Sequence, residues 1–100
     1  MIILTNPNNP TTVVYSRESL EALAEFIQKK DLIIVVDQAF EDIVFDEKEM
    51  VTMAALDGMF ERTITVFSIS KGFGLSGLRV GYIAAPDTLI DAMFASAVSV

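Results

Sequence analysis

Apolar residues collect in four short runs, Ile2–Leu4, Leu32–Val36, Thr63–Phe67 and Val80–Ala85, each bounded by turn-forming residues. The run Leu32–Val36 is unbroken and rich in β-branched side chains, which predicts a strand buried on both faces. Thr63–Phe67 alternates less cleanly but is again β-branched. After Ile2–Leu4 the chain reads Asn6-Pro7-Asn8-Asn9-Pro10, a stretch that neither continues a strand nor opens a helix early. Between the runs the period changes. Leu20, Leu23, Ala24 and Ile27 fall at i, i+3, i+4 and i+7, one apolar stripe on a predicted helix over Arg17–Lys30. Ser16 is placed to cap it, with Glu18 at its positive end and Lys29-Lys30 at its negative end. Residues 50–57 predict a short helix ending before Gly58. Beyond Pro86, Leu89, Ile90, Met93, Phe94 and Ala97 trace a second stripe with no terminator after it, so this helix reads as cut by the chain end. Strands alternating with helices predict an α/β fold with a mainly parallel sheet. No repeat, low-complexity segment or linker interrupts it.

Composition narrows the function. With 100 residues, the chain is one domain at most. Hydrophobic residues make up 52% of it, and the mean hydropathy is +0.49. That is high for so small a unit, and the excess reads as surface that meets more protein. A formal charge of −7 disfavours binding to nucleic acid by phosphate neutralisation, and to anionic membranes. Cysteine and histidine are both absent, which removes disulfides, thiolate metal sites, the Ser-His-Asp triad and most zinc sites. Acid–base chemistry is left to Lys, Asp, Glu, Tyr or a cofactor. MIILTNPNNP has no basic region and too short an apolar run for a signal peptide, and no stretch approaches a membrane span. The default expectation is the cytoplasm.

In open parallel sheets ligands sit beyond the carboxyl ends of the strands. Asn6 to Thr12 follow the first predicted strand, Asp37 ends the second, and Ser68, Ser70 and Lys71 follow the third. If the span from Ser70 to Leu78 loops back, Arg79 opens an antiparallel strand at the same rim. Amide, carboxylate, hydroxyl, amine and guanidinium then converge. Within SISKGFGLSGLR, Lys71 and Arg79 stand eight residues apart among small residues, a spacing suited to an anionic or carbonyl-bearing ligand held between them. Each member also has a plain reading: a turn for the Asn-Pro run, a helix cap for Asp37, surface charge for Lys71 and Arg79. Glu41, Asp42, Asp46, Glu47 and Glu49 read as a solvated acidic loop without EF-hand spacing. The glycines match neither a Walker A loop nor the dinucleotide fingerprint.

Taken in order, N-P-N-N-P-T, D-Q-A-F, S-I-S-K and G-L-R resemble the central part of class I/II aminotransferases, pyridoxal 5'-phosphate enzymes of fold type I. The likeness covers essentially the whole chain. It implies a three-layer αβα large domain, of which residues 1–100 are a fragment, with a mainly parallel sheet and one antiparallel strand. It further implies that Lys71 forms the internal Schiff base and shuttles a proton at the substrate Cα. Asp37 would keep the pyridine nitrogen protonated, Asn9 would donate to the ring's phenolic oxygen, and Arg79 and Ser68 would hold the phosphate. Ser70 would support the phosphate or the lysine. Substrates would be an α-amino acid, such as aspartate, and a 2-oxo acid, and the parent enzyme would be a homodimer. A lyase or decarboxylase on the same cofactor, a non-catalytic truncated fragment and a flavodoxin-like flavin-binding domain are the alternatives. Upstream and downstream parts of such an enzyme, including the substrate-carboxylate arginine, have no counterpart here, so the chain alone is not expected to transaminate.

Two positions depart from the pattern. Thr12 replaces a glycine usual in the family, and Phe40 replaces a tyrosine whose phenol would donate a second hydrogen bond to the cofactor's phenolic oxygen. Without that donor the oxygenate is less stabilised, and the imine pKa is expected to lie above the value obtained with Phe40→Tyr. An absorbance titration of the two proteins, each in the full-length enzyme, checks this; coincident curves refute it.

Overall fold

The computed structural model describes residues 1–7, 13–38, 50–68 and 80–99. Strands β1 (Ile2–Thr5), β2 (Ile34–Asp37), β3 (Thr63–Ser68) and β4 (Gly81–Ala84) form one sheet in the order β1-β2-β3-β4. The first three run parallel, and β4 returns antiparallel to β3. Helix α1 (Arg17–Lys29) connects β1 to β2, and helix α2 (Asp87–Val98) follows β4. This is the α/β architecture with a mixed, mostly parallel sheet that the alternating pattern predicts.

Helix α1 forms where its caps and stripe place it. The Ser16 hydroxyl accepts the Ser19 backbone N–H at 3.1 Å, satisfying one of the amides that a helix start leaves unpaired. At the other end the chain reverses through Asp31 in a left-handed conformation, φ 52°. There Leu32 N–H reaches the Ile27 carbonyl at 3.0 Å and Asp31 N–H reaches that of Gln28 at 3.2 Å, a Schellman closure with aspartate where glycine is usual. Arg62, just before β3, donates from its guanidinium to the Leu32 carbonyl and to the Asp31 carboxylate, each at 3.3 Å. The turn from α1 into β2 is thus tied to the entry of the next strand.

Leu20, Ala24 and Ile27 bury completely or nearly so, and Leu23 packs partly against them, as the stripe predicts. They meet Ile34 and Val36 from β2, with Val51, Met53 and Met59 filling the remaining space. Val51 and Met53 come from the segment read as a short helix over 50–57, and Met59 lies just beyond Gly58. In place of the expected helix there is a single 3-10 turn, Met53–Ala55, and a second turn, Phe60–Arg62, follows beyond Gly58, which has φ 74°. A Cβ on Gly58 would meet the Gln28 side-chain oxygen at 2.6 Å, while the Gln28 amide donates to the Asp57 carbonyl at 3.0 Å. The chain needs a left-handed residue there to lie flat against α1, and a longer helix would overrun it. Thr63 enters the same core, its hydroxyl satisfied by the Met59 carbonyl at 2.6 Å.

Strand β2 also differs from expectation. It starts at Ile34 rather than Leu32, because the Leu32 N–H closes the turn out of α1, and it is fully buried on one face only. Ile34 and Val36 point into the core, whereas Val35 and Asp37 are half-buried on the other side. On that second face Ile3 is 70% exposed. Helix α2 has no fully buried residue; Leu89, Ile90 and Met93 are half-buried and Phe94 is exposed.

Two substitutions measure these contributions in urea unfolding followed by circular dichroism. Ser16→Ala is expected to lower stability by about 1 kcal/mol through the lost cap. Ile27→Ala is expected to lower it by about 2–5 kcal/mol, since the deleted atoms leave a cavity between α1 and β2.

Candidate functional site at the carboxyl ends of the strands

Strand register decides which side chains can act together. Thr5 pairs with Asp37, Asp37 with Val66, and Val66 with Ile83, so one row crosses all four strands on the face away from α1. Ser68 lies two residues beyond Val66 on the same strand and therefore shares that face. The Asp37 carboxylate and the Ser68 hydroxyl are thus brought to adjacent strand ends on one side of the sheet. Both residues are half-buried.

The strand ends are held from both sides. Asn6 N–H donates to the Asp37 carbonyl at 3.0 Å, and Gln38 N–H donates to the Val66 carbonyl at 2.8 Å, extending the ladder one step past each strand. Asn6 is only 1% exposed, and its side-chain oxygen accepts the Tyr15 backbone N–H at 3.1 Å. The Asn6–Pro7 peptide is cis. At the far edge Gly81 pairs with Ser68, and a Cβ on Gly81 would stand 2.6 Å from the Phe67 carbonyl oxygen. Only glycine lets β4 approach β3 this closely. Phe67 and Tyr82 stack across the same pair, ring centroids 4.6 Å apart.

Of the residues singled out from sequence, Asp37 is the last residue of β2 and Ser68 the last of β3. Asn9, Phe40, Ser70, Lys71 and Arg79 lie outside the described residues, as do Thr12 and the acidic stretch from Glu41 to Glu49. The connections that carry them leave from Pro7, Gln38 and Ser68 and re-enter at Val80, all at the rim where Asp37 stands. Sequence reading placed Asn6 at the rim and Gln38 within D-Q-A-F but gave neither a role of its own, and each is 1% exposed. Their signal was available only as polar residues flanking strand ends, a pattern shared by ordinary turns.

Comparison with known proteins decides the family. The family model for aminotransferase class I and II matches residues 1–97. The chain belongs to this family. It is 42% identical over 92 residues to aspartate aminotransferase from Pyrococcus abyssi, covering 92% of the chain and 24% of that protein. It is 37% identical to kynurenine–oxoglutarate transaminase 1 of Homo sapiens over 89 residues, 89% of the chain and 21% of the relative. Among solved structures, the aromatic aminotransferase from Pyrococcus horikoshii superposes with a TM-score of 0.87 at 43% identity, over 91% of this chain and 24% of that one. The chain therefore spans about a quarter of the length of the relatives it matches. Among the described residues, no helix is long and apolar enough to cross a membrane.

Substituting Gly81 tests the rim. Gly81→Ala is expected to push β4 away from Phe67 and to speed amide hydrogen exchange at Tyr82–Ala84, with α1 unaffected. Unchanged protection in β4 would show that the close approach is not required.

Proposed function

We propose that this chain is the cofactor-binding segment of the large domain of a pyridoxal 5'-phosphate-dependent aminotransferase, which exchanges an amino group between an α-amino acid, such as aspartate, and a 2-oxo acid. Family membership supports this, and one observation carries it at the level of the site: a carboxylate and a hydroxyl stand on the same face at adjacent strand ends. The donor set suits the cofactor. A carboxylate matches a protonated ring nitrogen, a serine hydroxyl matches a phosphate oxygen, and the rim beyond the strands is where parallel sheets admit ligands.

When bound, the cofactor supplies an aldehyde that captures amines and a ring that takes up the electron pair released at the substrate Cα. The residues of the chain divide the remaining work. Asp37 holds a proton at the ring nitrogen, which keeps the ring able to accept those electrons. Lys71 would be the amine that holds the cofactor through its aldehyde, and its neutral form would carry the proton at Cα. Asn9 would donate to the phenolic oxygen, and Phe40, which has no hydroxyl, would offer no second donor. Ser68 and Arg79 hold the phosphate, the guanidinium through its fork of N–H donors, with Ser70 in support. Chain connectivity supports the grouping, since Lys71 follows Ser68 by three residues and so lies within about 11 Å of it. The same reading has the parent enzyme act as a homodimer in the cytoplasm.

Borohydride trapping tests the proposal. After incubation of the whole polypeptide with pyridoxal phosphate and reduction, peptide mapping is expected to find the modification at Lys71. Lys29 and Lys30, exposed at the end of α1, provide the background for surface reaction. Labelling no greater at Lys71 than at these two overturns the proposal.

A further inference from the structure

Asn6 has no part in the roles above, yet its environment is unusual for an asparagine beside a turn. It is 1% exposed, and both its backbone and its side chain are committed. The backbone N–H holds the Asp37 carbonyl at 3.0 Å. The side-chain oxygen takes the Tyr15 N–H at 3.1 Å, nine residues along the chain. Tyr15 itself packs against the core built on α1, and the next residue, Ser16, caps that helix. Asn6 therefore links the backbone of the residue bearing the carboxylate to the anchored start of α1. A buried amide in this position loses its orientation if the side-chain bond is removed, and the N–H beneath Asp37 loosens with it.

We infer that Asn6 is a positioning residue: by bonding Tyr15 through its side chain it fixes the backbone that holds Asp37, and so sets the carboxylate against the cofactor's ring nitrogen. The inference rests on the function proposed above. It requires that Asn6 act on catalysis through Asp37 rather than only on folding. A purely structural asparagine would change stability and leave turnover per folded molecule untouched.

The experiment is a double-mutant cycle in the whole polypeptide loaded with pyridoxal phosphate. Asn6→Ala is expected to lower kcat about tenfold, with KM for the amino acid changed less than about twofold, the size expected when one buried hydrogen bond is lost. In an Asp37→Asn background the same substitution should change kcat by less than about twofold, because its effect runs through a carboxylate already removed. Asn6→Ser, which keeps a shorter acceptor, should recover part of the loss. Should Asn6→Ala not fold, Asn6→Ser is read in the same cycle. A folded variant with unaltered kcat, or effects of the two sites that simply multiply, overturns the inference while leaving the proposed function in place. If instead the unaltered protein shows no selective labelling at Lys71, the function fails and the inference fails with it.

Discussion

Burial of Ile34 and Val36 against helix α1 settles where the Asp37 carboxylate can stand. Side chains alternate along a strand, so two apolar residues committed to the core leave the next odd position on the opposite face. A slip of one residue would drive Asp37 among Leu20, Ala24 and Ile27 and bring Val35 and Asp37 inward in place of the apolar pair. A lone carboxylate in such surroundings is costly, so the hydrophobic stripe of α1 enforces the register and the register places the acid. The row Thr5, Asp37, Val66 and Ile83 follows from that one constraint. The packed side of the sheet and the side that bears the carboxylate are two readings of the same alternation.

The antiparallel return of β4 has a comparable role at the far edge. A further parallel strand would need a long crossover to come back to the starting end of the sheet. Reversing direction keeps both ends of the connection between Ser68 and Val80 at one rim, and Gly81 allows the pairing to close there.

The fold was legible where periodicity and end chemistry agree. The α1 stripe and the Ser16 cap are local signals, and the four strands were bounded by residues that cannot extend them. Two features escaped for physical reasons. The run of apolar residues from Leu32 hides the point where turn becomes strand, since Leu32 looks like a strand residue but spends its N–H on the Ile27 carbonyl at the end of α1, whereas the Ile33 carbonyl already accepts the Ile2 N–H. The segment from Met53 to Arg62 has helical composition, yet its shape is dictated by contact with Gln28 on a distant helix, which no local window contains. Of the candidate site, Asp37 and Ser68 could be placed at strand ends from pattern alone, because strand ends are where apolar runs stop. Asn6 could not, since its importance lies in a bond to Tyr15 and not in its neighbours in the chain.

One last feature bears on how firmly the unit stands. The sheet is packed on the α1 side, while Ile3 on the other remains 70% exposed. Burial of apolar area contributes about 25 cal/mol per Å², and among the described residues the fully buried apolar side chains form one cluster on the α1 side. Among the described residues, the placing of the rim that holds Asp37 therefore depends on how β2 seats against α1 and the turns beside it.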